Sequence, residues 1–248
     1  FGLAAASLAA ALLYFWLDRR EAPRGTLALP PPPERFDWRH LLTFRPEYWV
    51  LVAVCVSFYS VIFPFRSTFA IKYLQEAQGY TLAQAGRLNS YVFLAAVFAT
   101  PVFGLILDRI GRNTLLLAAG ALLLPPSFLV LGALPGGAGL STALLGISFS
   151  FVPAVLWPTV VRYAPPEHLG TAYGLMTTLQ NAGLFGANII AGYLNDLNGA
   201  GAANPGGYLP MLWFFGLLSL TAFALTLVLR ALDHGAAPRT AAVAGSRD

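Results

Sequence analysis

The chain has 248 residues, of which 57% are hydrophobic and only 10% are charged, with a formal net charge of +4. This composition excludes a water-soluble domain, and several apolar segments reach the roughly 20 residues that a helix needs to cross a bilayer. The alternation typical of a membrane β-barrel is absent, so the spans are predicted to be helices. The positive charges are spread over short loops, which argues against a nucleic-acid partner.

The chain begins with an apolar run over residues 1–17, which stops at the charged residues Asp18 and Arg19. The run lacks a basic start, so it is interpreted as the end of a sixth transmembrane helix rather than as a signal peptide. Residues 18–47 are polar, basic and rich in proline, which predicts a stiff linker. Because the chain opens on Phe1, an N-terminal half is expected to be missing.

Six membrane-spanning helices are predicted after the linker, separated by short segments rich in Gly, Pro and Asn. Their predicted ranges are 48–75, 80–107, 114–134, 139–163, 169–196 and 207–232. Residues 233–248 are predicted to be a tail. The expected fold class is an all-α integral membrane protein, with a six-helix bundle over 48–232 preceded by the end of a further transmembrane helix.

Basic residues predict the orientation, because Lys and Arg in short loops accumulate on the cytoplasmic side of a membrane. With a cytoplasmic linker, most arginines fall inside and only three basic residues lie toward the outside, namely Arg66, Lys72 and Arg87. The linker and the C-terminal tail are therefore both predicted to be cytoplasmic. All but one of the 15 basic residues are arginine, and Ala, Gly and Leu are abundant. This bias favours a bacterial source and a bacterial inner membrane.

The loop between the second and third predicted helices carries a regular pattern of glycine and charged residues. It reads Gly104-Leu105-Ile106-Leu107-Asp108-Arg109-Ile110-Gly111-Arg112-Asn113. Glycine permits close helix packing and a tight turn, and Asp108 can accept hydrogen bonds at a helix N-terminus. The pattern resembles the loop signature of the major facilitator superfamily, although Asn113 stands where a basic residue is common. An ordinary charged turn is the alternative. The residues to which this resemblance assigns conformational gating are Gly104, Asp108, Arg109, Gly111 and Arg112.

Three further stretches narrow the resemblance to one branch of that superfamily. They are Phe63-Pro64-Phe65, Leu156-Trp157-Pro158 and the segment from Pro166 to Gly174. All are similar to the branch that contains the lysosomal dipeptide uniporter and its prokaryotic relatives. The resemblance covers about residues 48–232. It implies the C-terminal half of a twelve-helix secondary transporter, which carries a dipeptide or another small carboxylate-bearing solute by alternating access.

The first complete helix offers candidate residues for the solute. Tyr59, Phe63 and Arg66 recur at i, i+4 and i+7, so all three are predicted to project from one face beside a kink at Pro64. An Arg inside a span is expensive and is therefore a candidate partner for a substrate carboxylate. The alternative is a side chain that extends to the outer headgroups. Both interpretations of Arg66 remain open at this stage.

Polar side chains in other helices add to the predicted site. Asn89 lies in the second complete helix, and Gln180 and Asn181 belong to a polar band in the fifth. Such side chains are costly against lipid, so they either line a cavity or form hydrogen bonds between helices. The same fifth helix has a stripe of small residues where close helix packing is expected, formed by Gly170, Gly174, Thr178, Ala182 and Gly186.

No enzyme signature, cofactor motif or cluster of metal ligands occurs in the sequence, so we expect a protein without catalytic residues, metal or cofactor. The expected partners are a small-molecule solute, the lipid bilayer and the missing N-terminal half, with no nucleic acid. A noncatalytic membrane scaffold or receptor remains the alternative, because the visible apolar segments also fit a seven-helix receptor by number.

Overall fold

In the computed structural model, the described residues are 2–21, 44–111, 113–134 and 136–244. The chain divides into two compact units, Phe1–Asp37 and Trp38–Asp248. The first unit contains helix α1 (Gly2–Glu21), which runs slightly past its predicted end at residue 17. The predicted linker falls mostly on residues 22–43, which lie outside the described residues.

The second unit is a bundle of helices, and its described residues form regular structure that is helical throughout apart from one bridge between Gly201 and Asn204. Its α-helices are α2 (Pro46–Pro64), α3 (Ala70–Glu76), α4 (Leu82–Ile110), α5 (Asn113–Ala121), α6 (Leu124–Ala133), α7 (Ala138–Tyr163), α8 (Leu169–Leu197) and α9 (Leu209–Ala244). All six predicted helical regions are therefore helical, which confirms the all-α fold class.

Five regions of the described chain are long and apolar enough to cross a membrane. They are Pro46–Glu76, Leu82–Leu105, Asn113–Ala133, Ala138–Tyr163 and Pro205–Asp233. Helix α8 has 29 residues and is about 43 Å long, so its length would also suffice. The Thr, Gln, Asn and Gly residues along α8 lower its hydropathy, and this explains why it is not among the five.

Prolines interrupt two predicted spans. After Pro64 the chain forms a π-helical turn over Phe65–Phe69, in which Ala70 N–H donates to the carbonyl oxygen of Phe65, five residues back. The expected irregularity at Pro64 is thus a π-helical turn. The predicted helix 114–134 is wrong as one continuous element, because it breaks into α5 and α6 ahead of two consecutive prolines, Pro125 and Pro126. Proline has no N–H to donate to the preceding turn.

Helix α9 also differs from its predicted end at residue 232, since it continues to Ala244. The continuation includes Gly235 and Pro238, which are unfavourable in a helix, so local propensity does not explain it. Near that boundary Asp233 Oδ1 lies 3.0 Å from Arg162 Nη2 and accepts a hydrogen bond of 3.2 Å from the Tyr163 hydroxyl. These contacts hold α9 to the end of α7.

Helices α2 and α8 approach each other closely at Gly183. A Cβ atom there would lie 2.5 Å from Val56 Cγ1, so only glycine lets the two helices come this close. The predicted stripe behaves differently. A Cβ on Gly170, Gly174 or Gly186 would meet nothing within 4 Å. The glycines of the stripe therefore make no close helix contact within this chain. The glycine that α2 contacts is Gly183, which does not belong to the stripe.

Candidate functional site

Arg66 lies at the start of the π-helical turn and is buried, with only 5% of its surface exposed. Its Nη2 donates to the main-chain carbonyl oxygen of Asn89 in α4. The Asn89 side chain returns the contact, since its Nδ2 donates to the carbonyl oxygen of Arg66 at 3.2 Å. The guanidinium carbon lies 4.0 Å from the ring centroid of Phe93. Arg66 is therefore held inward against α4 by a reciprocal pair of hydrogen bonds and a cation–π contact.

A cavity of about 120 Å³ opens beside this guanidinium. Its lining residues come from α2, the π-helical turn, α3, α4 and α7. They are Ile62, Phe63, Arg66, Ser67, Ile71, Asn89, Phe93 and Phe149. None of them is acidic. Arg66 Nε is buried and has no hydrogen-bond partner among the described residues. A buried guanidinium with a free N–H and no carboxylate beside it is electrostatically unbalanced, and an anionic group in the cavity would restore the balance.

Aromatic rings connect the cavity to the interior of the bundle. Phe149 lies edge-on to both Phe93 and Phe63, with ring centroids 5.8 Å apart in each pair. Phe63 in turn stacks on Tyr59 at 5.6 Å. The Tyr59 hydroxyl accepts a hydrogen bond of 2.8 Å from Trp157 Nε1. Phe63 and Arg66 therefore line the same cavity, whereas Tyr59 is not among its lining residues and contacts Phe63 from the interior of the bundle.

Comparison with known protein families identifies the family of this chain. The family model of the Major Facilitator Superfamily matches residues 1–188, well over half of the chain. The chain belongs to the Major Facilitator Superfamily. The similarity to this superfamily that the loop pattern indicated is thereby confirmed, and the all-α bundle is a membrane-transporter fold.

The chain is similar to proteins that are named as transporters. The chain is similar to the lysosomal dipeptide transporters of Gallus gallus, at 29% identity over 193 residues, and of Bos taurus, at 31% over 193 residues. Both alignments cover 78% of this chain, and they cover 43% and 41% of those relatives. A probable sulfoacetate transporter of Cupriavidus necator is 32% identical over 143 residues, which are 54% of this chain and 33% of that protein. The chain thus spans less than half the length of these relatives.

The major facilitator loop has a sharp turn but no tight packing at its first glycine. Gly104 lies inside α4, and a Cβ there would meet nothing within 4 Å, so the expected close packing at this position is absent within this chain. Gly111 has a φ of +62°, a left-handed conformation that favours glycine, and it makes the turn. Arg109 is exposed. The Asp108 side chain and Arg112 lie outside the described residues.

Side chains of the polar band of α8 form hydrogen bonds with α8 itself, with α2 and with the π-helical turn. Cys55 Sγ donates to Gln180 Oε1 at 3.5 Å, and Thr68 Oγ1 donates to Asn188 Oδ1 at 2.8 Å. Asn181 is exposed, and its Nδ2 donates to a carbonyl oxygen of its own helix. Neither Gln180 nor Asn181 lines the Arg66 cavity. Part of the band therefore has the alternative role, that of hydrogen bonding between helices.

Five residues of the cavity wall were not predicted from the sequence, among them Phe93, Ser67 and Phe149. Phe93 follows Asn89 by four positions, a spacing that puts both on one helical face, so the helical period could have revealed it. Ser67 follows Arg66 in the π-helical turn. Such a turn has more residues per turn than an α-helix, and no pattern in the sequence predicted it. Phe149 comes from α7, and no local pattern could have paired it with residues of α2 and α4.

Proposed function

We propose that this chain is the C-terminal half of a secondary transporter that moves a small carboxylate-bearing solute, such as a dipeptide, by alternating access. The observation that carries the proposal is the buried Arg66 guanidinium, which lines a cavity without acidic residues and whose Nε has no hydrogen-bond partner among the described residues. A guanidinium offers two parallel N–H donors in the geometry that a carboxylate accepts. The buried position argues against a side chain that extends to the headgroups.

The solutes named for the relatives support this class of solute. A dipeptide and sulfoacetate differ in size and shape, but each carries a carboxylate. The feature common to both is thus the group that Arg66 is suited to bind. Uniport is the simplest mechanism for this half, since the walls of the cavity contain no carboxylate or histidine that could exchange a proton.

A second six-helix half would close the pathway over the exposed faces of α4 and α8. Large apolar side chains of both helices are exposed in this chain, among them Phe98, with 71% of its surface exposed, and Phe185, with 70%. In this arrangement residues 1–17 end the sixth helix, 18–47 form the linker between the halves, 48–232 form the second half and 233–248 form the tail. The linker and tail would face the cytoplasm of a bacterium, and the loop from Gly104 to Arg112 would control the change between the two access states.

The test is uptake of glycylglycine by the full-length carrier in proteoliposomes. We expect Arg66→Lys to raise the half-saturation concentration about tenfold, because a point-like ammonium cannot replace the two-pronged contact, and a charge-assisted hydrogen bond contributes about 1.5–3 kcal/mol. Arg66→Gln is expected to be worse. Arg87→Gln is the matched control, because Arg87 is exposed on the same α4 helix that contacts Arg66, and its Nε donates to the carbonyl oxygen of Ala83 in its own helix.

Two results would contradict the proposal. Unchanged half-saturation in both Arg66 variants would assign this residue a purely structural role at the α2–α4 contact. Purified carrier that moves no carboxylate-bearing solute, yet binds a protein partner stably, would instead favour the membrane scaffold.

A further inference from the structure

The cavity beside Arg66 is too small for a whole dipeptide. Its volume of about 120 Å³ is below the roughly 150 Å³ of an engineered protein cavity that holds one benzene molecule. A carboxylate with one or two carbon atoms fits such a space, while a carboxylate beside a large side chain does not. The rest of any longer solute has to extend out of the cavity.

Three phenylalanine rings form the aromatic part of this small space. Phe93 is 52% exposed and carries the guanidinium over its face, so its removal would also disturb Arg66. Phe63 supports Tyr59 by stacking. Phe149 contacts both of the other rings edge-on. Among the described residues, the ring that contacts the guanidinium is Phe93 rather than Phe149. Phe149 is therefore the ring whose size can change the cavity without direct loss of the anion-binding group.

The backbone on either side of Phe149 is firmly anchored. Ser148 is fully buried, and its hydroxyl donates to the carbonyl oxygen of Gly120 in α5 at 2.8 Å. Ser150 is 3% exposed, and its hydroxyl donates to the carbonyl oxygen of Gly146 in α7 itself at 2.7 Å. Because both neighbours are buried and the Ser148 hydrogen bond joins α7 to α5, α7 cannot easily retreat to accommodate a larger solute. The wall that Phe149 forms is a rigid one.

We propose that Phe149 sets a size limit at the Arg66 cavity, which admits the carboxylate end of a solute only when that end carries a small side chain. This inference rests on the proposed function. It makes the carrier selective for solutes such as peptides that end in glycine or alanine. The opposite end of the solute, which lies outside this cavity, is unrestricted by it.

The experiment compares uptake of glycylglycine and glycylphenylalanine by the full-length carrier in proteoliposomes. We expect wild-type carrier to favour glycylglycine strongly, and Phe149→Ala to raise the ratio of glycylphenylalanine to glycylglycine uptake at least tenfold. Phe149→Leu should give a smaller change in the same direction, and it decides the test if the alanine variant does not fold. Acetate and phenylacetate provide the same comparison for a solute that is not a peptide.

Two controls separate a size effect from a general loosening of the bundle. Phe103→Ala removes a ring that packs on Phe151 at 4.4 Å, away from the cavity, and should leave the uptake ratio unchanged. Glycylphenylalanine amide lacks the carboxylate, so Phe149→Ala should not admit it. Entry of the amide as readily as the acid would mean a nonspecific leak and would overturn the inference.

The remaining outcomes distinguish the two proposals. If glycylglycine enters through wild-type carrier but the ratio is the same in Phe149→Ala, Phe149→Leu and Phe103→Ala, the size limit is refuted while carboxylate transport stands. If well-folded wild-type carrier takes up none of the four carboxylate-bearing probes, the proposed function is refuted, and the size limit with it.

Discussion

Replacement of Gly183 by alanine should push α8 away from α2. The new Cβ would lie 2.5 Å from Val56 Cγ1 and 2.7 Å from Ser60 Oγ. The Ser60 hydroxyl can rotate away, but a valine in a helix has one strongly preferred rotamer, so the Val56 methyl group stays in place. To restore ordinary van der Waals contact the two helices must separate by about 1 Å.

The size of the effect follows from two opposing contributions. Overpacking of an interior typically costs about 1–3 kcal/mol, whereas alanine in a helix is more favourable than glycine by about 1 kcal/mol. Gly192→Ala is the matched control, because a Cβ at Gly192 would meet only Phe69 Cζ, at 4.0 Å. The propensity gain is the same at both positions and cancels. Gly183→Ala should therefore be about 1–3 kcal/mol less stable than Gly192→Ala.

Thermal unfolding of the full-length carrier in detergent measures this difference, with about 1 °C expected for each kcal/mol in a chain about twice as long as this one. A local readout comes from Cys55, which is fully buried in α2 and whose Sγ donates to Gln180 of α8. Alkylation of Cys55, followed by mass spectrometry of its peptide, should be faster in Gly183→Ala and unchanged in Gly192→Ala. Equal melting temperatures and equal alkylation rates in the two variants would refute the helix contact at Gly183.

Two other predictions concern a hydrogen bond and the loop. Trp157→Phe removes the donor to the buried Tyr59 hydroxyl and should lower the unfolding free energy by about 1–3 kcal/mol, whereas Trp157→Phe combined with Tyr59→Phe should recover part of the loss. A double variant less stable than either single one would contradict this. Asp108→Ala should slow transport with a nearly unchanged half-saturation concentration. Gly111→Ala should lower the free energy of unfolding by about 1–2 kcal/mol, because the φ of Gly111 is +62°. Normal turnover in both loop variants, measured by uptake, would argue against gating.

Features that depend on the solvent and on local order could be predicted from the sequence. An apolar composition requires a bilayer, and long apolar runs in a bilayer must be helices. The resemblance to the family could be seen in the loop from Gly104 to Asn113. Arg66 was recognisable as a candidate because a basic residue inside an apolar span is rare. The break before Pro125 could have been predicted too, since two consecutive prolines withdraw two backbone donors.

Features that depend on contacts between distant segments were decided by the tertiary structure. The small-residue stripe of α8 and Gly183 look alike in the sequence, and only the packing of α2 onto α8 shows which one is contacted. The π-helical turn after Pro64 changes the helical period locally, so the direction of the residues within it does not follow from a spacing of 3.6. The same holds for the cavity itself, because Arg66 and Phe149 meet only when α2, α4 and α7 pack together. Composition and periodicity determine which residues avoid water, whereas the rotation and depth of each helix are determined by its neighbours.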